Sequence, residues 1–557
     1  MRYLAVLILV LAVIVSGCSQ NRPELKTTPE SKATPETKET SRLVYGKEIL
    51  KTDLPPEDAV IRFLPDLNHT WKLVKSDRGN TLSIPGEIPR VPEVGYIRNV
   101  SANINGFLAT PLVENGLIFL ADSQGVYALS EKNGELVWGD EIYSDSLEGR
   151  KIGNPQPWTK WKALGLNRFV EAYGLGKYLY VATSSYLDAG DAMIIALNKT
   201  SGEVVWKVEM PTEENDSSRS STTSNLLVAD GEVCAGSVRD EGYIYCFTED
   251  GKAVWKGRIG GNVRGLAYGN GILFATSEGG NSIHAFDIKT GRELWRYTYK
   301  DAVSTPLYRD GRILFIGGGK LVAISSNGEF LWEKNIAGGE DVNTNAFLAV
   351  GDRIYAPRNI GERPLELYTL NFDGKIAGKF RLEGDERAGA PVVTENVVIL
   401  PVTGRDYAKI YFLWKGKSKL SEFKLNGDEI FMPKIAISHG KIYAVFSDDR
   451  MDGRTNHVIV QFKDSQKPEI RKVEETEHNG SVDVKALIQD KQSGIHRVLI
   501  AYRNDSVWHY VEMELARRYV MEPIGGYGFG EEEYMATIPK AEHVIMAIDN
   551  SGNYILK

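Results

Sequence analysis

Few groupings in this chain have the residue types and spacing that catalysis needs. The densest acidic loop reads Asp448-Asp449-Arg450-Met451-Asp452-Gly453. Its acids are too sparse for an EF-type calcium loop, and Arg450 among them opposes a dication. It reads as a solvated charged loop, and no metal-ligand set is assigned. Histidines number eight, and His284 lies inside a strand-like run where a core role fits better than catalysis. No Ser/His/Asp order rises above chance, so no catalytic residue is assigned. The chain does offer recognition chemistry. Arg239, Arg358, Arg363, Arg405, Asp449 and Arg450 sit in long charged segments between apolar strands. Arginines held on several such segments could converge on an acidic or glycan ligand; a solvated rim accounts for any single one as well. Trp158 and Trp161, in Pro155-Gln156-Pro157-Trp158-Thr159-Lys160-Trp161, form a second candidate. Two Trp beside Lys and Pro suit an interface anchor or a sugar-stacking platform, or else both pack down to pin their long loop.

The elements that must position these residues come from a repeat. Ile283–Trp295 reads IHAFDIKTGRELW, and related copies end at Trp138, Trp206, Trp255 and Trp332. Each copy is a strand, a Gly-bearing turn and a second strand closing on Trp. Two further strand-like stretches precede each copy, as Ala109–Val113 and Leu117–Ala121 precede the first. A unit of four short strands cannot bury its own faces, so copies must stack, and the expected architecture is an all-β propeller. The count is eight units, with seven the alternative. The last unit, ending at His457–Phe462, lacks an outer strand. Trp71-Lys72-Leu73-Val74 resembles that missing strand, so closure by the N-terminal region is expected, which leaves no open sheet edge.

These units resemble the PQQ-like, or quinoprotein-type, propeller repeat, whose pattern is Ala-x-Asp-x-x-Thr-Gly-x-x-x-Trp. Ala285, Asp287, Thr290, Gly291 and Trp295 match it fully; Ala196, Asn198, Gly202 and Trp206 match with Asn for Asp. The resemblance implies that Trp138, Trp206, Trp255, Trp295 and Trp332 dock each blade on the next. It does not carry the cofactor. Quinone enzymes of this fold bind Ca²⁺ through a carboxylate and amide cluster, and many carry adjacent cysteines; neither feature can be assigned here, so no PQQ or Ca²⁺ is expected. In layout the chain is similar to the propeller lipoproteins of the outer-membrane barrel-assembly machine.

The chain has three cysteines. Val15-Ser16-Gly17-Cys18, after a short apolar run, looks like a lipobox and implies cleavage before Cys18 and lipid attachment to its sulfur. An exported location permits a disulfide between Cys234 and Cys246, which lie in consecutive strand-like runs; two buried thiols are the alternative. Residues 1–17 then form a lipoprotein signal peptide and 18–42 a tether rich in Thr, Pro and Glu that cannot order itself. Residues 43–465 are expected to form the propeller. Residues 466–557 are expected to form a small Ig-like or fibronectin-III-like β-sandwich.

Net charge is -8 with no basic block, which argues against nucleic acid as a partner. The expected function is a membrane-anchored, extracytoplasmic binding or scaffold module for a protein partner or an envelope glycan. It would sit on the outer face of the cytoplasmic membrane, or at the outer membrane or periplasm of a Gram-negative cell. The alternatives are a PQQ/Ca-dependent dehydrogenase and a propeller hydrolase or lyase.

Overall fold

Strand follows strand along a computed structural model of the chain. It describes residues 44–65, 70–73, 77–78, 80–100, 109–121, 125–141, 161–163, 168–185, 192–210, 225–237, 242–336, 348–360, 363–384, 386–395, 397–427, 430–449, 455–519 and 530–557. Residues from Tyr45 onward form one compact unit. Among the described residues, eight antiparallel blades occupy 112–141, 168–209, 227–258, 262–298, 307–335, 349–381, 387–426, and 434–463 joined by Glu93–Val100. They are numbered 1 to 8 in that order.

The repeat motif has a physical reason at each position. Ala285 pairs directly with Trp295, Ala196 with Trp206, Ala128 with Trp138 and Ala323 with Trp332. A small residue opposite each indole leaves it room. Asp287 Oδ1 accepts from the Lys289 and Thr290 amides and the Thr290 hydroxyl, which closes the turn. Gly291 takes φ 68°, and a Cβ there would sit 2.5 Å from the Trp255 ring of the preceding blade. The glycine therefore serves backbone and docking together. Outer strands alternate exposed and half-buried residues, whereas the third strands, such as Ser282–Asp287, are buried on both faces between neighbouring blades.

The ring closes from the N-terminal side, but not with the expected strand. Glu93–Val100, rather than Trp71–Val74, is the fourth strand of blade 8, pairing Ile97 with Val460. This junction carries no Trp-bearing fourth strand, because other side chains fill it. Arg98 Nε donates to the Asn133 carbonyl (3.0 Å), and Tyr96 and Arg98 pack where a Cβ on the turn glycine Gly134 would lie.

Cys234 and Cys246 face each other across adjacent strands of blade 3 and are disulfide-bonded.

The C-terminal residues form a two-sheet sandwich. One sheet runs Glu469–His478, Ser481–Gln489, Glu531–Pro539, Glu514–Tyr519; the other runs Lys47–Thr52, Val507–Glu512, Ile495–Asn504, His543–Asp549, Tyr554–Leu556. Val484, Ile488 and Ala536 of the first pack on Ile500, Val511 and Ile545 of the second. Lys47–Thr52 corrects the expected boundary at 43: these residues pair with Val507–Glu512, and the short helix Pro56–Ala59 with Phe63 covers the outer face of that sheet beside Trp508 and Tyr510. The first residues of the compact unit thus belong to the sandwich.

Candidate binding site on the propeller

Each early blade grips the next by a repeated clasp. Trp138 Nε1 donates to the Lys199 carbonyl, Trp206 to Glu249, Trp255 to Ile288, Trp295 to Ser326 and Trp332 to Phe372, at 2.7–3.1 Å. Every acceptor lies in a turn of the following blade. A carboxylate adds to two junctions: Glu114 with Lys199, and Glu232 with Lys289 at 3.0 Å. Burial opposes ionisation of Glu114, but Lys199 and Lys72 outweigh it and hold the carboxyl below its usual range. These five Trp are structural in their contacts.

One face of the ring carries a strap that sequence reasoning missed. The Trp71 and Lys72 carbonyls accept from Val113 and Leu175 of blades 1 and 2, and the Arg78 carbonyl from Tyr268 of blade 4. The Thr81 and Leu82 carbonyls accept from Val350 and Val393 of blades 6 and 7. Asn80, at φ 60°, donates to the Leu266 and Pro306 carbonyls. Val113, Leu175, Tyr268, Val350 and Val393 lie at or next to the ends of first strands, so the strap runs along that face from blade 1 to blade 7. The one local signal was Gly79-Asn80, a pair suited to φ > 0. Beneath the strap lies a cavity of about 560 Å³ lined by Lys72, Arg78, Glu249, Tyr268, Tyr308 and Asp310. Its cations are already engaged, Lys72 with Glu114 (2.8 Å) and Arg78 with Asp230 (3.4 Å).

The connections between second and third strands lie on the opposite face. Arg405 is exposed in that connection of blade 7. The backbones of Arg358 and Arg363 flank the same connection in blade 6, where Ile360 pairs with Arg363. Asp449 pairs with Thr455 at the equivalent place in blade 8. Three consecutive blades thus present these positions on one rim. Trp161 lies elsewhere: Trp161–Ala163 is a short strand parallel to the outer strand of blade 1. Cys18, Trp158, Arg239 and Arg450 fall outside the described residues. The Arg405 connection rests on a buried ion pair also missed in the sequence. Lys409 Nζ meets Glu386 Oε1 at 2.8 Å, and the Tyr411 and Tyr407 hydroxyls donate to the same carboxylate. Burial disfavours the Lys409 ammonium, yet Glu386 and Tyr411 prevail and raise its pKa. His284 is a satisfied core residue, bonded to Glu293 (3.0 Å) and Ser282 (2.9 Å). The described rim offers charge and hydrogen bonding on a rigid base, the chemistry of recognition.

Blade count, clasp and closure define an eight-bladed propeller of the PQQ-like repeat type. The profile of the family described as "Outer membrane protein assembly factor BamB" matches residues 101–241 and 240–398, and the chain belongs to that family. A tetrathionate hydrolase from Acidithiobacillus ferrooxidans is 27% identical over 258 residues, 36% of this chain and 50% of that protein. The outer membrane protein assembly factor BamB of Shewanella oneidensis is 24% identical over 195 residues, 32% of this chain and 48% of its own length. That of Nitrosomonas eutropha is 23% identical over 177 residues, 30% and 39%. The chain thus spans half or less of the length of these curated relatives. A quinohemoprotein alcohol dehydrogenase from Pseudomonas putida HK5 superposes with a TM-score of 0.51 at 13% identity, covering 77% of this chain and 86% of that one. A europium-containing methanol dehydrogenase gives 0.51 at 12% identity, covering 72% and 100%. At such identities the likeness shows the fold alone.

Proposed function

We propose that this protein is a lipid-anchored, extracytoplasmic scaffold that binds an envelope-assembly protein through the rim carrying Arg358, Arg363, Arg405 and Asp449. The observation that carries the reading is the asymmetry of the two faces. The strap runs along the first-to-second strand ends, whereas in blades 6 to 8 Arg358, Arg363, Arg405 and Asp449 stand at or beside the ends of the second and third strands on the other side. Membership in the BamB family supports an assembly role. Cys18 would hold the body on its membrane through acyl chains, with residues 18–42 as the tether. On this reading the C-terminal sandwich is an Ig-like spacer, supported by its second sheet being built on Val507–Glu512, Ile495–Asn504, His543–Asp549 and Tyr554–Leu556.

The test places a photo-crosslinker at Arg405 and, as a control, at Lys252, an exposed turn residue of blade 3. On intact cells, Arg405 should capture a defined envelope-assembly protein and Lys252 should not. Equal yields from both positions, or none from either, would sink the reading.

A further inference from the structure

Three carboxylates converge where the sandwich meets the propeller, and the scaffold reading does not use them. Asp464 immediately follows Thr455–Lys463, the third strand of blade 8. Asp490 follows Ser481–Gln489, and Asp549 ends His543–Asp549. One oxygen from each lies within 4.8 Å of the others. Relative exposures are 8%, 3% and 0%. None of the three has an ion pair among the described residues; the charges acting on Asp464 and Asp549 are other carboxylates.

Burying like charges together without a cation is costly. Their hydrogen bonds do not resolve it. Asp490 Oδ1 takes the amides of Gln492, Ser493 and Gly494, and Asp549 Oδ1 those of Ser551 and Asn553. Oδ2 of Asp490 and Oδ2 of Asp464 are shut off from solvent, and among the described residues neither has a well-formed hydrogen bond. A second observation is independent of the acids. The Ser493 hydroxyl, fully buried, lies against the Asp464 carboxyl and favours its ionised form, yet it has no well-formed hydrogen bond among the described residues, and neither has the buried Gln492 Oε1.

We propose that Asp464, Asp490 and Asp549 form a calcium site that fastens the C-terminal sandwich to the propeller. The donors are all oxygen, which suits a hard cation. Two ligands of one Ca²⁺, each about 2.4 Å from it, can stand no more than about 4.8 Å apart, and the three oxygens all lie within that limit of one another. Mg²⁺ keeps several waters and demands a near-ideal octahedron, which a dry cluster drawn from three segments does not favour. The same loops already join the two bodies: the Arg90 and Val91 amides donate to the Gln492 carbonyl, and Asn550 Nδ2 donates to Glu87 Oε2 at 2.8 Å. A bound ion would fix Asp464, at the exit from blade 8, against both sandwich loops. It would also offset the burial that pushes the Asp464 and Asp549 carboxyls up to about 6 and about 7.

The experiment strips the whole chain with EDTA and titrates it with calcium chloride alone, following heat of binding and melting temperature, with magnesium chloride as comparison. One ion per chain and a clear rise in melting temperature, much smaller with magnesium, are expected. Asp549→Asn should lose the binding heat. It should melt at or above the wild-type temperature in EDTA, because one like charge has gone, and below it in calcium. Absence of binding heat with unchanged melting of the wild-type chain at millimolar calcium overturns the site, whether or not the variant folds. So does an Asp549→Asn variant more stable than wild type in both conditions, since the aspartates would then simply share protons.

Discussion

The five junctions from blade 1 to blade 6 and the three that close the ring do one job with different chemistry. In the first group an indole N–H reaches a carbonyl in the next blade's turn, and the ring lies against that turn, as at Gly251, Gly291, Gly328 and Gly374. In the second group no Trp takes part among the described residues. Gly378 stands opposite Thr369 where Trp332 stands opposite Ala323 in blade 5. Phe380 instead meets Tyr411 edge-on at 5.7 Å, and Tyr411 is tied to Glu386 and Lys409. Phe423 packs on Phe446 and Phe462 between blades 7 and 8. Between blades 8 and 1, Tyr443 donates to Glu131 (2.7 Å) beside Tyr96 and Arg98. The lesson is that a propeller needs a filled wedge at each junction and not one residue type. Two closing junctions, between blades 6 and 7 and between 8 and 1, place buried charge where the early ones place an indole, and the one between 7 and 8 places phenylalanines.

That contrast predicts how each group fails. Glu386→Ala should be the most damaging change, costing about 3–5 kcal/mol, because it removes the buried carboxylate 2.8 Å from the Lys409 ammonium and leaves it only the exposed Glu383, at 3.6 Å. Replacing both, as Glu386→Leu with Lys409→Met, should recover most of the loss. Urea unfolding of the two variants decides it: if the double variant is no better than the single one, the pair is not an isolated ionic wedge. Trp255→Ala should cost about 2–3 kcal/mol, through the lost stacking on Phe286 and the lost bond to Ile288. That indole is half-buried, which sets it below a full core deletion. A cost equal to or above that of Glu386→Ala would reverse the ranking of the two kinds of junction.

The two groups also differ in how far they could be read from the residues. The early blades were legible because one pattern serves backbone, capping and docking at once, so Ala285, Asp287, Gly291 and Trp295 recur together. Eight units and N-terminal closure followed from counting those copies. The closing strand was misassigned because Trp71 looked like a docking residue, whereas the work falls to Tyr96 and Arg98, which carry no repeat signature. The strap, the Glu386–Lys409 pair and the strand Lys47–Thr52 depend on contacts between residues far apart in the chain, which no local period reports. Asp464, Asp490 and Asp549 are equally scattered. The only local trace lies in two turns, Asp490-Lys491-Gln492-Ser493-Gly494 and Asp549-Asn550-Ser551-Gly552-Asn553, which read as loop chemistry alone.

The smallest predicted effect separates the groups by pH. His457, in blade 8, is fully buried, with Nδ1 on the Ser447 hydroxyl at 2.8 Å and Nε2 without a partner. Burial pushes its pKa down from 6.5 to about 4. A depressed histidine pKa means that the unfolded chain takes the proton first. Stability is therefore unaffected above pH 6.5 and falls as pH drops from there toward 4. By pH 5 the loss is about 2 kcal/mol, at about 1.4 kcal/mol per pH unit. His284 in blade 4 is buried as well, but Glu293 lies against its ring and opposes the shift, so its share should be smaller. Denaturant midpoints at pH 7 and pH 5 for the wild-type chain and for His457→Gln check this. The variant should lose much of the acid sensitivity at whatever cost it carries at pH 7. If its midpoint falls with pH as steeply as that of the wild-type chain, the acid-labile part of the ring lies outside blade 8.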